Sequence, residues 1–434
     1  MFKFLKKISL GNWILIGMIL GFIVGLFLNF YVDDPYIKNT ILIDNIFYLG
    51  GTGFIRLMKM LVVPLVFCSI IVGVSSISDI KKIGTIGGRT ILIYLVTTAM
   101  AITIALLIGM VIKPGMGLNL VATGQSTSVT INQTMTDTIL NVIPENPFTS
   151  LASGDMLPVI IFAVIIGIIL AQLKEEVQLV SDFFDQSNKI MMEMTSLVMK
   201  FAPIGVFCLM AKTFAGLGFE GLLPMGKYVL CVLVGLAVQA VLVYPSLMVV
   251  LTRLNPIRFF KKFFSVMLFA FSASSSNATI PINIDKLEEM GVSREVSSFT
   301  IPLGATVNMD GTAIMQGVAV MFAAQAYGID LGTSALITVI FTAVLASVGT
   351  AGVPSVGLVT LTMVFNSVGL PVEAIGMLFG IDHILDMFRT AVNVAGDAVC
   401  TIIVSLKNKS MDVDVYNGKK EAEVDRIDIE DLVA

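Results

Sequence analysis

The stretch Ile381-Asp-His-Ile-Leu-Asp-Met-Phe-Arg-Thr-Ala-Val-Asn-Val-Ala-Gly-Asp397 carries the chemistry of this chain. It sits inside an apolar run, yet it holds Asp382, Asp386, Arg389 and Asp397, with Thr390 and Asn393 between them. A charge at a bilayer centre costs roughly 2.5–3.5 kcal/mol on insertion scales. At about 100° per helical residue, the six polar side chains fall within roughly a 100° sector. The remaining face is Ile, Leu, Phe, Val and Ala. One polar stripe on an apolar helix lines a site rather than facing lipid. Three carboxylates against one guanidinium leave negative charge, so bound cations or a ligand's ammonium must complete it. His383, the one histidine, lies off the stripe and reads as structural.

The elements that position this stripe follow from composition. The 434 residues are 56% hydrophobic and 13% charged, with a mean hydropathy of +0.92. Soluble domains carry about 25% charged residues, so the chain reads as an all-α polytopic membrane protein. The net charge of −4 and the lack of a basic patch give no sign of a nucleic-acid partner. The four cysteines sit in apolar segments and show neither disulfide nor metal-ligand spacing. No nucleotide loop or nucleophile–base pair argues for an enzyme.

Spans are expected from about Trp13 to Phe30, Ile46 to Ile77, Thr90 to Ile112, Leu157 to Leu173, Met191 to Phe214 and Tyr228 to Leu251. The segment with Asp33, Asp34 and Asp44 reads as an outside loop. Lys81, Lys82, Arg89, Arg253, Arg258, Lys261 and Lys262 mark inside loops, which puts both termini in the cytoplasm. Pro114 to Gly154 reads as an outside loop, and its sequon Asn132-Gln-Thr as a chance match. Lys174 to about Lys189 reads as an amphipathic inside connection. The tail beyond Leu406 reads as disordered and cytoplasmic.

After Lys262 the pattern changes. Phe263 to Ile284 is broken by Ser272-Ala-Ser-Ser-Ser-Asn-Ala-Thr-Ile-Pro281. Two half-helices meeting at a polar tip account for this, because their free N–H and C=O groups need partners. A span broken at Asn308-Met-Asp-Gly-Thr312 follows, then a second interrupted segment, Ser347 to Gly357, then the charged helix. Two interrupted segments in corresponding positions of two halves point to a transporter binding site. Half-helix N-termini suit a carboxylate, and unwound carbonyls suit Na⁺. Arg389 offers a planar fork for a second carboxylate, and Asp386 can take an ammonium. One ammonium and two carboxylates describe an acidic amino acid. An Arg–Asp pair inside a membrane can also be a structural ion pair, and of these residues Asp382 is the one that reading suits best.

Pro302 to Thr312, the serine-rich tip, Ser347 to Pro354 and the set Asp386, Arg389, Thr390, Asn393 and Asp397 resemble the glutamate/aspartate transporter family (dicarboxylate/amino acid:cation symporters). The likeness extends to Met58–Pro64, Tyr94–Thr98 and Ala202–Phe207. It implies eight transmembrane helices, two re-entrant helical hairpins, inverted repeats, a homotrimer and elevator-type movement of a transport domain against a scaffold. On that pattern residues 1–83 are scaffold spans 1–2, and 84–113 transport-domain span 3. Residues 114–253 hold the outside loop, scaffold spans 4–5 and transport-domain span 6. Residues 254–406 are the transport core, and 407–434 the tail. The resemblance implies that Arg389 grips the substrate side-chain carboxylate beside Thr312 and Gly357, and that Asp386 binds its ammonium. Asn393, Thr390 and the tip around Ser274 and Ser276 would hold the α-carboxylate. It implies one Na⁺ site at Asp397, Asn393, Asn308 and the Gly304 carbonyl, and another at Asp310, Asn308, Tyr94, Thr97 and Thr98. A third would use the backbone carbonyls of Thr306, Ser347, Val348 and Thr350 near Met309.

Three departures stand out. Ser274 and Met387 occupy positions where relatives carry an extra arginine. Gln316 stands where mammalian members carry a protonatable glutamate, which speaks against their proton and K⁺ coupling. Asn277 interrupts the serine run. Competing readings are a neutral amino acid, C4-dicarboxylate or H⁺-coupled glutamate symporter, and a channel. Arg389 argues against neutral substrates, because a buried guanidinium would be left unpaired. Asp386 argues against substrates lacking an ammonium.

Overall fold

The computed structural model describes residues 10–32, 34, 36–75, 85–118, 120, 143–153, 156–218, 222–348 and 356–421. Residues 1–9, Lys81, Lys82, the sequon at Asn132 and the second hairpin tip with Thr350 lie outside these residues. The described residues are mostly helical, with one isolated bridge pairing Val292 and Met411. Among them, three helical stretches are long and apolar enough to cross a bilayer: Ile86–Ile112, Leu222–Thr252 and Ile381–Lys407.

The first group of helices is α1 (Leu10–Tyr31), α2 (Tyr48–Ser75), α3 (Thr85–Ile112), the short α4 (Pro147–Ser153), α5 (Met156–Leu173), α6 (Gln178–Met199) and α7 (Ala202–Leu217). All but α3 and α4 form one packed body, in which α1 lies along α7 while α2 contacts α5, α6 and α7. The expected sixth span comprises α8 (Leu222–Val238), a π-helical turn Gln239–Val243 and α9 (Tyr244–Thr252). The first hairpin is α10 (Pro256–Ala273) and α11 (Ser276–Glu288). The broken span is α12 (Arg294–Val307) and α13 (Asp310–Ala326). The arms of the second hairpin are α14 (Thr333–Val348) and α15 (Val356–Ser367); α16 (Ala374–Lys407) follows, and a single helical turn, Val413–Tyr416, comes after it. α16 contacts α10, α12 and α13, and α13 also contacts α3.

Both breaks fall where the sequence places them. The first hairpin turns at Ser274, in the left-handed region at φ 49°, and Ser275 caps α11 by accepting from the Ala278 N–H. Asn308 and Met309 separate α12 from α13.

Three expectations need correction. The expected fifth span, Met191 to Phe214, is cut at Lys200 and Phe201, with a 52° bend between α6 and α7. Pro203 in the first turn of α7 has no N–H to continue the upstream ladder. Met191–Met199 instead extends the amphipathic helix. The segment holding Asp44 is π-helical over Tyr36–Phe47, and Asp34 Oδ1 accepts from the Tyr36 N–H at 2.9 Å. Residues 408–421 are packed rather than disordered. Ser293 N–H donates to Ser410 O, Asp412 N–H to Gly291 O, and Arg258 to the Asn417 carbonyl and side chain. The Tyr416 hydroxyl, whose pKa burial pushes up to about 12, donates to Asn255 O at 2.8 Å. These backbone pairings and one buried ring anchor a segment whose composition alone reads as solvated.

Candidate functional site

The polar stripe of α16 is buried. Over the apolar window of Ile381–Lys407, 89% of residues are buried, against 39% in each of the other two long spans. Arg389 is 0% exposed, and Asp382, Asp386, Thr390, Asn393 and Asp397 are also buried. Helical spacing brings the charges together on one face. Arg389 NH1 donates to Asp382 Oδ1 at 2.7 Å, and NH2 to Asp386 Oδ1 at 2.6 Å. Its Nε finds no hydrogen-bond partner among the described residues. Sequence reasoning left the fork open for a ligand; the structure engages two of its edges with carboxylates of its own helix. Gly357 and Thr312 close on this cluster. A Cβ at Gly357 would lie 2.8 Å from Thr312 Cγ2 and 3.6 Å from Arg389 NH1.

The break between α12 and α13 faces α16 and α3. Asn308 Nδ2 donates to Asp397 Oδ1 at 2.9 Å, and Asn308 Oδ1 accepts from Thr97 Oγ1 at 3.1 Å. Thr97 Oγ1 also lies 3.0 Å from Tyr94 O. Asp310 Oδ1 accepts from Thr98 Oγ1 at 2.8 Å. The Gly311 N–H, freed by the break, donates to Asn393 Oδ1 at 2.7 Å. Glycine is required at two of these positions by space. A Cβ at Gly304 would stand 2.6 Å from Asp397 Oδ1, and one at Gly311 2.7 Å from Arg389 O.

This donor set fits a hard, weakly charged cation. Asp310, Asn308, Thr97, Thr98 and the Tyr94 carbonyl are all oxygen donors on neighbouring elements, with one carboxylate between them. Among the described residues, no group of three His, Cys, Asp or Glu side chains converges in the manner of a transition-metal site. Asp397, Asn308 and the space at Gly304 form a second, adjacent set.

Other predicted residues are placed differently. Met309 bridges the break, its sulfur 3.4 Å from Asn393 Nδ2 and 3.8 Å from Thr312 Oγ1. Thr306 and Ser347 bond their own helices, to Leu303 O and Val344 O. Val348 ends α14, and Thr350 of the third predicted set lies outside the described residues. Ser274 and Ser276 are buried at the first tip. Among the described residues no hydrogen bond joins them to Arg389, while Phe271 and Phe388 pack edge to face between the hairpin and α16. Gln316 is buried, and its Nε2 donates to Thr360 Oγ1 at 2.8 Å, tying α13 to the second hairpin. Sequence reasoning missed two residues that contact Asp310, Gln239 and Tyr244 of the sixth span. A lone glutamine in an apolar run was the available signal.

The sodium:dicarboxylate symporter family profile matches residues 10–406. The chain belongs to that family. This is a family of membrane symporters, not of enzymes. Among its relatives, the proton/sodium-glutamate symport protein of Bacillus caldotenax is 37% identical over 413 residues, covering 92% of this chain and 95% of that protein. The proton/glutamate-aspartate symporter of Escherichia coli (strain K12) is 35% identical over 421 residues, 92% and 93% of the two chains. Excitatory amino acid transporter 3 of Homo sapiens is 31% identical over 460 residues, 93% and 87%. Against this family frame, the buried Arg389 cluster and the oxygen-lined break between α12 and α13 are the chain's candidate substrate and cation sites.

Proposed function

We propose that this chain is a secondary active symporter that imports acidic amino acids, aspartate or glutamate, together with Na⁺. The observation that carries the reading is the fully buried Arg389 fork, whose NH2 edge is paired with the same Asp386 that would take an ammonium. A substrate carboxylate arriving on Arg389 replaces the Asp386 carboxylate, and Asp386 turns to the substrate ammonium. Both charges stay paired through the exchange, as a water-excluded site demands. Arg389, Asp386, Thr390, Asn393, Thr312, Gly357, Ser274 and Ser276 form the substrate site in this reading. Asp397, Asn393, Asn308 and Gly304 hold one Na⁺, and Asp310, Asn308, Tyr94, Thr97 and Thr98 another.

The names of the relatives include both protons and sodium. Sodium is preferred here because the donors at Asp310 are hard oxygens and because the Gln316 amide cannot carry a proton. Movement is of the elevator type, with α3 and residues 222–407 travelling against α1, α2, α5 and α7 in a homotrimer, and both termini cytoplasmic.

The test is competition uptake across wild type, Arg389→Lys and Arg389→Cys. Removing one partner of a buried pair costs roughly 3–5 kcal/mol, so Arg389→Cys should lose aspartate affinity by about two orders of magnitude or more. Serine should gain relative to aspartate, and lysine should rescue poorly because a point charge cannot reproduce the fork. A wild type that prefers serine, or an Arg389→Cys variant that keeps its aspartate preference, contradicts the assignment.

A further inference from the structure

We propose that Gln239 and Tyr244 are positioning residues for the cation at Asp310, with the Gln239 amide oxygen presented as an additional ligand. The inference rests on the sodium reading above and extends it to an element, the sixth span, to which that reading gave no part in cation binding.

The geometry starts from helix periodicity. In an α-helix, residues five apart stand about 140° apart around the axis, at roughly 100° per residue. Gln239 and Tyr244 are five apart, yet both reach one oxygen. Gln239 Nε2 donates to Asp310 Oδ2 at 3.0 Å, and the Tyr244 hydroxyl donates to the same oxygen at 2.9 Å. The π-helical turn Gln239–Val243 closes i to i+5 and so places them one above the other. Turns of this kind recur at functional sites because they re-aim side chains within an otherwise regular helix. The opposing helix makes room: a Cβ at Gly396 would stand 2.4 Å from the Tyr244 hydroxyl and 2.9 Å from Asn308 Nδ2.

The bonding pattern divides the Asp310 carboxylate. Oδ2 is held by two neutral donors from the sixth span, while Oδ1 is left to Thr98 on α3. Oδ1 therefore meets the Thr98 hydroxyl of the candidate cation set with Asp310 already oriented from the other side. The Gln239 amide donates its nitrogen to the carboxylate, which fixes where its oxygen goes. That Oε1 is buried, on a residue 0% exposed, and has no hydrogen-bond partner among the described residues. A buried acceptor without a partner is costly. A cation bound at Asp310 would satisfy it.

The experiment measures the Na⁺ dependence of aspartate binding by calorimetry, and Na⁺-dependent thermal unfolding without substrate, in wild type, Tyr244→Phe and Gln239→Leu. We expect the Na⁺ midpoint to rise at least tenfold in each variant, while aspartate affinity at saturating Na⁺ stays within twofold of wild type. A merely structural role would weaken aspartate binding at every Na⁺ concentration and leave the midpoint in place, and that result overturns the proposal. Tyr244→Phe removes a single oxygen and decides the matter if Gln239→Leu does not fold: an unchanged midpoint in Tyr244→Phe overturns it. Wild-type binding that is indifferent to Na⁺ would instead overturn the sodium reading, and this inference with it.

Discussion

Glycines serve two different purposes in the two parts of this molecule. Along α1, Gly17, Gly21 and Gly25 recur every fourth residue against α7. Added Cβ atoms there would stand 2.4, 2.4 and 2.7 Å from the carbonyl oxygens of Pro203, Phe207 and Ala211. Here the missing side chain lets two helix backbones approach, the small-residue packing that holds membrane helices together without hydrophobic driving force. Around α16, added atoms at Gly304 and Gly396 would meet the Asp397 carboxylate and the Tyr244 hydroxyl, and at Gly357 Thr312 beside the Arg389 fork. There the missing side chain leaves room for polar groups and for what they bind. The first set builds a rigid wall; the second builds a site. The lesson is that a glycine's role in a membrane helix is decided by the atom it faces, not by its spacing.

The contrast breaks most sharply at Gly304. Gly304→Ala puts a methyl group against Asp397 Oδ1 and the Tyr94 hydroxyl, which a Cβ would meet at 2.6 and 2.7 Å. The Na⁺ midpoint for aspartate binding should rise by about two orders of magnitude, at an overpacking cost of about 1–3 kcal/mol or less, since the carboxylate can turn away. Calorimetry across a Na⁺ series checks this, and an unchanged midpoint would make Gly304 a packing residue like those of α1. Asp382→Asn should have a smaller effect. It keeps an oxygen for Arg389 NH1 but removes the charge, and should weaken aspartate binding about tenfold, in line with a charge-assisted hydrogen bond worth about 1.5–3 kcal/mol. Tighter binding in Asp382→Asn would show that Asp382 competes with substrate rather than fixing the fork. Gly21→Ala should leave affinity and the Na⁺ midpoint alone. Its Cβ meets backbone and Met210 Cβ, so α1 must move, lowering stability by ~1–3 kcal/mol. Thermal unfolding in detergent alongside binding separates the two outcomes, and a shifted Na⁺ midpoint would erase the distinction drawn here.

How far the sequence anticipates this picture depends on the kind of signal. The α16 stripe, the break at Asn308 and the serine tip were legible because polar residues in apolar runs must face a site. The pairing of Arg389 with Asp382 was legible as a possibility, through the one-face spacing, but not as a choice, since either carboxylate could take the guanidinium. The π-helical turn was not legible. Pro245, just after it, marks a break in the backbone ladder but not the register change between Gln239 and Tyr244. The folded segment 408–421 was hidden for a different reason: its charged composition reads as solvated, and the backbone pairing of Ser410 and Asp412 carries no side-chain signature. The bend between α6 and α7 was marked by Pro203, but the apolar residues before it masked the boundary.

The central claim is that transport of an acidic amino acid by this chain is driven by Na⁺. Uptake of radiolabelled aspartate into proteoliposomes tests it directly, with an inward Na⁺ gradient at equal pH, an inward H⁺ gradient in choline, and choline alone. Concentrative uptake that requires the Na⁺ gradient and is absent under the H⁺ gradient is the result expected from the oxygen-lined sites at Asp310 and Asp397 and the unprotonatable Gln316. Uptake driven by the H⁺ gradient in the absence of Na⁺ would contradict it.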